Sequence, residues 1–239
     1  MSKGLQNILF LDIETVGITY NYDELSERLK TQWARKAAFI KRDSDMTDEQ
    51  LFVQRAGIYA EFGKIVTLGL GYFTTEDDTL TFRTKALYYD NEKELLVRFS
   101  ELLEKINKDD LVLCAHNGRE FDFPYLSRRM LVNGIPLPPA LDLAGKKPWE
   151  VNHLDTMDLW KFGDYKHYTS LELLATIFDI DSSKTGMDGS MVNTAYYEKN
   201  QLKEIADYCV EDVIVTAQVY LKLKSISYKE LKIVYTDPN

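Results

Sequence analysis

The sequence predicts an α/β domain in which a mixed β-sheet is flanked by helices. A short apolar run, 8–11, leads directly into acidic residues, as expected of a central strand that is buried on both faces and ends at a site. Two β-rich runs, 65–73 and 79–83, are separated by the polar residues 74–78, which favours an antiparallel hairpin. Segments typical of helices and short strands then alternate along the chain, which favours helices on the faces of the sheet.

The elements after the hairpin follow from apolar spacing and capping residues. Apolar side chains recur at helical spacing over 91–106, and Asn91 with Glu94 has the pattern of a capping box. Residues 111–115 are an apolar run that predicts a short strand. Residues 121–133 predict a helix, because a glycine and a proline follow and would end it.

The remaining chain adds two helices and an insertion. Residues 170–178 and 201–224 have helical patterns, and the second is apolar over so much of its surface that we expect it to be well buried. Residues 20–60, between the first strand and the hairpin, are rich in charge and helix formers and predict a helical insertion that covers or flanks the site. We expect a single domain over residues 1–239.

Composition limits the class of protein. The chain has 29 Lys and Arg against 38 Asp and Glu, a net charge of −9, which argues against a protein that coats nucleic acid through a large basic surface. The first apolar run is too short for a signal peptide or a membrane span, so we expect a cytoplasmic protein with no membrane partner. Cys114 and Cys209 lie in apolar stretches without metal-ligand spacing, which predicts buried, reduced thiols.

The first candidate motif is the pair of acidic residues after the first apolar run. Strand alternation points the carboxylates of Asp12 and Glu14 to the same side of the sheet. A hard divalent cation such as Mg²⁺ prefers oxygen ligands of this kind. On its own, the pair fits a solvated strand end better than a metal site.

Two later segments strengthen the interpretation. Tyr208 and Asp212 are four residues apart in a predicted helix, a rotation of about 400°, so both side chains face one site or make a contact on the helix surface. Asn117, Phe121 and Asp122 follow a predicted strand and open a helix, where α/β proteins commonly place their sites. This second segment also fits an Asx turn with a helix cap.

Taken in order, these motifs resemble those of the DEDDy branch of the DnaQ-like 3′-5′ exonucleases, which have a ribonuclease H-like fold. The three motifs of that branch have these counterparts: Asp12-Ile-Glu14, Asn117-x-x-x-Phe121-Asp122 and Tyr208-x-x-x-Asp212. The branch with a histidine is disfavoured because residue 207 is an aspartate.

The sequence is most similar to the proofreading exonuclease domain of family B DNA polymerases and to stand-alone predicted exonucleases related to it. The similarity extends over most of the chain. It includes three further segments: His153-Leu-Asp-Thr-Met-Asp-Leu159, the leucine-rich helix from Ser170, and the Asp188-Gly-Ser loop with Val192.

The resemblance implies a metal-dependent exonuclease that acts on the 3′ end of nucleic acid. It favours single-stranded DNA over RNA as the substrate. A protein partner in DNA replication or repair stays open. The resemblance also implies two divalent cations, Mg²⁺ or Mn²⁺, and these ligands: Asp12, Glu14, Asp122 and Asp212. Tyr208 would orient the attacking water, because a phenol with a pKa of about 10 is a hydrogen-bonding group rather than a base at neutral pH. Thr15, Asn117 and Phe121 would contact the substrate, although Phe121 equally fits a core position.

Other polar residues have simpler explanations. His116, His153 and His167 lack a coherent mutual spacing, so we expect structural roles for them. Lys184 and Lys199 lie in polar stretches, which favours solvated side chains over phosphate contacts. Two alternative functions stay open: a non-catalytic module that binds nucleic acid or a partner, and a phosphodiesterase that uses the same metal site on small nucleotides.

Overall fold

A mixed sheet forms the centre of the computed structural model, which describes residues 4–40, 46–106, 111–164, 168–181 and 187–236. Within these residues the sheet has six strands in the order β5-β4-β1-β2-β3-β6. The strands are β1 (Ile8–Gly17), β2 (Gly63–Glu76), β3 (Thr79–Tyr88), β4 (Val112–Ala115), β5 (Leu154–Asp155) and β6 (Leu231–Tyr235). Neighbours β1, β2 and β3 are antiparallel, whereas β4 runs parallel to β1, β5 to β4 and β6 to β3.

Helices flank the sheet, which confirms the predicted fold class. In the described residues they are α1 (Glu27–Ala37), α2 (Asp48–Arg55), α3 (Glu92–Ile106), α4 (Asp122–Val132), α5 (Thr156–Lys161), α6 (Leu171–Ile177), α7 (Val192–Tyr197) and α8 (Leu202–Leu223). The predicted helices at 91–106, 121–133, 170–178 and 201–224 agree with α3, α4, α6 and α8 to within one residue at each end. None of the described helices combines the length and apolarity needed to cross a membrane.

The predicted hairpin is present with a tighter turn than its polar stretch suggests. Strands β2 and β3 continue through the threonines to Glu76 and Thr79, which leaves a two-residue connection. Its residues, Asp77 and Asp78, have φ values of 47° and 61°. Two successive positive φ values match the twist of antiparallel strands, and aspartate tolerates this conformation better than most residues.

Strand β1 divides the core because its side chains alternate between the two faces of the sheet. Leu11 and Ile13 belong to a core cluster with apolar residues of α3 and α4. Phe10 points the other way, into a second cluster with Val213 and neighbouring residues of α8. The acidic residues at positions 12 and 14 therefore lie on the α8 face.

A glycine in β2 lets helix α8 approach the sheet beside the acidic residues. Gly69 pairs with Asp12 in the antiparallel register of β1 and β2. A Cβ at Gly69 would lie 2.8 Å from Val213 Cγ2 and 2.9 Å from the Cys209 carbonyl oxygen, closer than packed atoms tolerate. The absence of a side chain at this position thus brings α8 within reach of Asp12.

The insertion after β1 contains helices, as predicted for residues 20–60. Helices α1 and α2 pack through Trp33 and Phe52, whose ring centroids are 5.2 Å apart at nearly a right angle. Ser26 caps α1, and Thr47 forms a capping box with Gln50 at the start of α2. The insertion therefore has its own apolar cluster in addition to the cores on the sheet.

Candidate active site

Three carboxylates meet between β1 and α8. Asp12 and Glu14 extend from the α8 face of β1, and Asp212 extends from the middle of α8. One oxygen atom from each carboxylate lies within 4.8 Å of the others. Residues separated by about 200 positions in sequence thus supply one cluster of oxygen ligands.

Asp122 lies beside this cluster, and its charge acts on Asp12 and Glu14. It is the first residue of α4, is 2 % exposed, and its Oδ1 accepts a hydrogen bond of 3.1 Å from the backbone N–H of Ile13. The bond fixes its carboxylate to the backbone between Asp12 and Glu14. The second motif is therefore attached to the first through a main-chain amide.

The carboxylates perturb one another electrostatically. Burial, followed by the charges of Asp122, Glu14 and Asp212, raises the pKa of Asp12 well above its ordinary value. Burial, followed by Asp212 and Asp122, raises the pKa of Glu14 in the same way. Burial also raises the pKa of Asp122 to about 7 and that of Asp212 to about 6.

A divalent cation fits these residues. The donor set consists of carboxylate oxygens, which hard cations such as Mg²⁺ and Mn²⁺ prefer. Like-charged groups this close raise each other's pKa, and a bound cation would replace that repulsion by attraction. The cluster is therefore a candidate metal centre.

Tyr208 lies one helical turn before Asp212 and donates a hydrogen bond to its carboxylate. Burial, followed by the charges of Asp212 and Glu14, raises the pKa of the Tyr208 phenol. The hydroxyl stays protonated near neutral pH and has lone pairs that accept a further hydrogen bond. Both residues of the third motif thus face the cluster.

Cys209 is a contact of the site that sequence reasoning did not find. Its buried Sγ lies 3.3 Å from the carbonyl oxygen of Asp12 and 3.4 Å from Asp12 Oδ2, and it accepts a hydrogen bond of 3.2 Å from the N–H of Gly69. Burial is the main reason that the pKa of this thiol is raised well above its ordinary value. Cys209 and Cys114 are both buried and free, as predicted.

The three predicted substrate contacts have different environments. The Thr15 hydroxyl donates to the carbonyl oxygen of Gly57 at 2.8 Å. Phe121 is partly exposed, and its ring lies 5.3 Å from that of Tyr125 at the margin of the core. Asn117 Oδ1 is buried without a hydrogen-bond partner in the described part of the chain. Substrate contact at these positions stays a prediction.

The described histidines have structural partners. His153 accepts a hydrogen bond from the N–H of Leu113 at Nδ1 and donates from Nε2 to the carbonyl oxygen of Ala140. His116 links Thr156 Oγ1 to the carbonyl oxygen of Thr169, and burial lowers its pKa. Lys199 is exposed. His167 and Lys184 lie outside the described residues.

A cavity of about 260 Å³ opens beside the carboxylate cluster. Asp12, Tyr208 and Asp212 form one side of it, and the exposed ring of Tyr168 forms part of the lining. The carboxylates of Asp12 and Asp212 are at its wall. A ligand in this cavity would therefore contact the candidate metal centre directly.

A mixed sheet whose central strand and helix α8 bring carboxylates together beside a cavity defines a candidate metal-dependent active site. The chain belongs to the family described as predicted 3′-5′ exonucleases related to the exonuclease domain of PolB, whose model matches residues 58–233. The match includes Asp122, Tyr208 and Asp212, whereas Asp12 and Glu14 precede it. The resemblance predicted from the motifs is confirmed.

Similar proteins are family B DNA polymerases. A DNA polymerase of Orgyia pseudotsugata multicapsid polyhedrosis virus is 26 % identical over 164 residues, which are 59 % of this chain and 16 % of the polymerase. DNA polymerase 1 of Pyrococcus abyssi is 26 % identical over 176 residues, which are 66 % of this chain and 22 % of the polymerase. The chain thus spans less than a quarter of the length of these relatives.

A solved structure shows the same fold. The family B DNA polymerase from the archaeon Pyrobaculum calidifontis superimposes with a TM-score of 0.57 at 17 % sequence identity, over 91 % of this chain and 24 % of the polymerase. The predicted α/β class with a mixed sheet is therefore found in a protein of this group.

Proposed function

We propose that this protein is a metal-dependent 3′-5′ exonuclease that removes nucleotides from the 3′ end of single-stranded DNA. The observation that carries the proposal is the convergence of Asp12, Glu14 and Asp212 within 4.8 Å. Asp122 supports it, because its carboxylate is bonded to the backbone between the first two residues. Membership of a family of predicted exonucleases supports the direction of the reaction.

The proposed cofactors are two divalent cations, Mg²⁺ or Mn²⁺, held by four carboxylates: Asp12, Glu14, Asp122 and Asp212. When bound, such cations stabilise charge on the attacking and leaving oxygens of a phosphodiester and lower the pKa of water. They would also meet the negative charge of the substrate backbone in a chain whose own net charge is −9.

The protein's own residues orient the reactants. Tyr208 keeps its proton because burial and nearby carboxylates raise its pKa, so it acts as a hydrogen-bonding group that orients water beside Asp212. Glu14, at the same cluster, accepts a hydrogen bond from that water. Phe121, at the margin of the core, offers a face to a terminal base or sugar. Because stacking of this kind is tolerant of sequence, we expect little preference for the terminal base.

Replacement of Tyr208 by phenylalanine is expected to lower kcat by about ten- to a hundredfold, the effect of losing one hydrogen bond to a charged or reacting group. Cation affinity should be unchanged, because the four carboxylates remain. Rates of oligonucleotide shortening and Mn²⁺ titration measure the two quantities. Tyr220→Phe is the matched control, because Tyr220 lies on the same helix as Tyr208 but its ring packs on Phe10 in the core. Unchanged turnover in Tyr208→Phe would remove this hydroxyl from the mechanism.

The proposed function is tested by digestion of oligonucleotides labelled at the 5′ end, single-stranded DNA beside RNA, with Mg²⁺ or Mn²⁺. We expect a metal-dependent ladder that shortens from the 3′ end, faster for DNA, and no ladder with Asp12→Ala. Cleavage of neither polymer would contradict the proposal. Hydrolysis of a nucleoside monophosphate ester would then support the small-nucleotide phosphodiesterase, and inactivity on the ester as well would support the non-catalytic module.

A further inference from the structure

We infer that Asp155 is a positioning residue that holds the turn at residues 117–119 and thereby directs the Asn117 side chain toward the substrate. The inference rests on the proposed function. Asp155 is the last residue of β5, is 3 % exposed, and lies next to β4, the strand that leads into this turn. Its position follows from the sheet, because Asp155 pairs with Ala115 in the parallel register of β4 and β5.

The carboxylate of Asp155 accepts hydrogen bonds from four backbone amides. Oδ1 accepts from Asn117 at 2.9 Å, from Met157 at 2.9 Å and from Asp158 at 3.3 Å. Oδ2 accepts from Arg119 at 3.0 Å. Two of these amides begin helix α5, and two belong to the turn before α4. One buried side chain thus caps a helix and fixes the neighbouring turn.

The turn needs this support because its backbone is unusual. Asn117 has a φ of 63°, in the left-handed region that side chains rarely adopt. Its carbonyl oxygen accepts from the amides of Glu120 and Phe121, and α4 begins at the next residue, Asp122. The bond from Asp155 to the Asn117 amide therefore holds the strained residue from its other side.

The turn held by Asp155 carries an unsatisfied side-chain acceptor. Asn117 Oδ1 is buried and lacks a hydrogen-bond partner among the described residues, an arrangement that costs stability until rotation of the side chain brings the oxygen to a donor. A relaxed backbone at Asn117 would let the amide turn to other partners. Asp155 prevents this relaxation, so its role in the reaction is exercised through Asn117 and not by contact with substrate.

The test uses two substitutions: one removes the Asp155 carboxylate that holds the turn, and the other removes the Asn117 side chain. Asp155→Ser keeps a hydroxyl that caps α5 but is too short to reach the turn. Asn117→Gly removes the amide side chain and tolerates the positive φ. Each variant is expected to raise KM for a single-stranded DNA oligonucleotide about tenfold, the effect of one lost hydrogen bond, with kcat within about threefold and Mn²⁺ affinity within about twofold of wild type.

The double variant separates positioning from a general structural role. If Asp155 acts through the Asn117 side chain, then Asp155→Ser adds nothing to the KM of Asn117→Gly. Multiplication of the two effects to about a hundredfold, an unchanged KM in Asp155→Ser, or a loss of Mn²⁺ affinity overturns the inference. If Asp155→Ser fails to fold, Asp155→Asn takes its place. Asparagine keeps the volume of the side chain, but its NH₂ group replaces one carboxylate oxygen and cannot accept a hydrogen bond from a backbone amide.

A neighbouring carboxylate provides the control. Asp158 lies three residues further along the chain, and its carboxylate contacts the side chains of Lys161 at 2.9 Å and Arg119 at 4.0 Å. The control variant is Asp158→Asn. Its KM should stay within about twofold of wild type. A wild-type chain that shortens no oligonucleotide overturns the proposed function and this inference together, whereas an active wild type with multiplying variants overturns the inference alone.

Discussion

The Asp212→Asn variant is expected to shorten oligonucleotides at least about 1000-fold more slowly than the wild-type chain at saturating Mn²⁺. One of the three carboxylates that meet within 4.8 Å becomes neutral, and a cation stabilises the transition state of phosphodiester hydrolysis by several kcal/mol. The amide keeps the size of the side chain and an oxygen that accepts the hydrogen bond from Tyr208. Initial rates on single-stranded DNA measure the effect.

The same substitution is expected to stabilise the metal-free protein near neutral pH. Burial raises the pKa of Asp212 from 3.8 to about 6. Between these values the folded protein keeps a proton that the unfolded chain has released, so stability falls as the pH rises through this window and the full destabilisation is present above it. Asparagine has no such charge. In EDTA at pH 7.5, the variant should be more stable than wild type by about 1–3 kcal/mol, whereas the two should converge near pH 4.

Two comparisons make this pair of expectations specific. Asp207→Asn changes an exposed carboxylate of the same helix that pairs with Lys203, and it should alter neither the rate nor the dependence of Tm on pH. Added Mn²⁺ should raise the Tm of wild type more than that of Asp212→Asn, because a ligand that binds only the folded state stabilises it. Two results would contradict the assignment of Asp212 to a cation site whose carboxylates repel one another when no metal is bound. One is a rate for Asp212→Asn within tenfold of wild type, and the other is a lower Tm for this variant at pH 7.5 in EDTA.

The parts of the fold and site that were predictable depend on local patterns. The apolar residues of helix α8 follow a helical pattern in the sequence, and the spacing of Tyr208 and Asp212 places both on one face of the helix. Alternation along β1 similarly places Asp12 and Glu14 together. These rules work because each concerns residues within one element, where geometry is fixed by helix or strand periodicity.

Other features depend on contacts between distant segments. Strand β1 was predicted from the apolar run 8–11 with Asp12 and Glu14 at its end, and it continues to Gly17, because Ile13 and Val16 are also buried. Strand β6 was not predicted, since its partner β3 lies about 150 residues earlier in the sequence. Asp155 has backbone amides as partners, and such partners leave no side-chain pattern to detect.

The same limitation applies to a buried ion pair between two helices. Arg129 of α4 and Glu92 of α3 are both 7 % exposed, and they form two hydrogen bonds of 2.8 and 2.6 Å between guanidinium and carboxylate. Glu92 also accepts from the N–H of Ile65 and from Asn133, and Arg129 also donates to the carbonyl oxygen of Ala60. The pair thus joins two helices to β2 and to the segment before it.

The Arg129→Met variant is expected to lower the free energy of unfolding by about 3–5 kcal/mol, because it leaves the Glu92 carboxylate buried without its cation. Arg129→Lys should recover only part of this loss, since an ammonium group cannot form the paired bonds of a guanidinium. Urea denaturation with linear extrapolation measures both values. Lys203→Met, which removes an exposed partner of Asp207, is the control and should leave stability unchanged. A loss in Arg129→Met no larger than in this control would mean that water or a neighbouring group satisfies Glu92, and that the ion pair does not hold α4 and its Asp122 against the sheet.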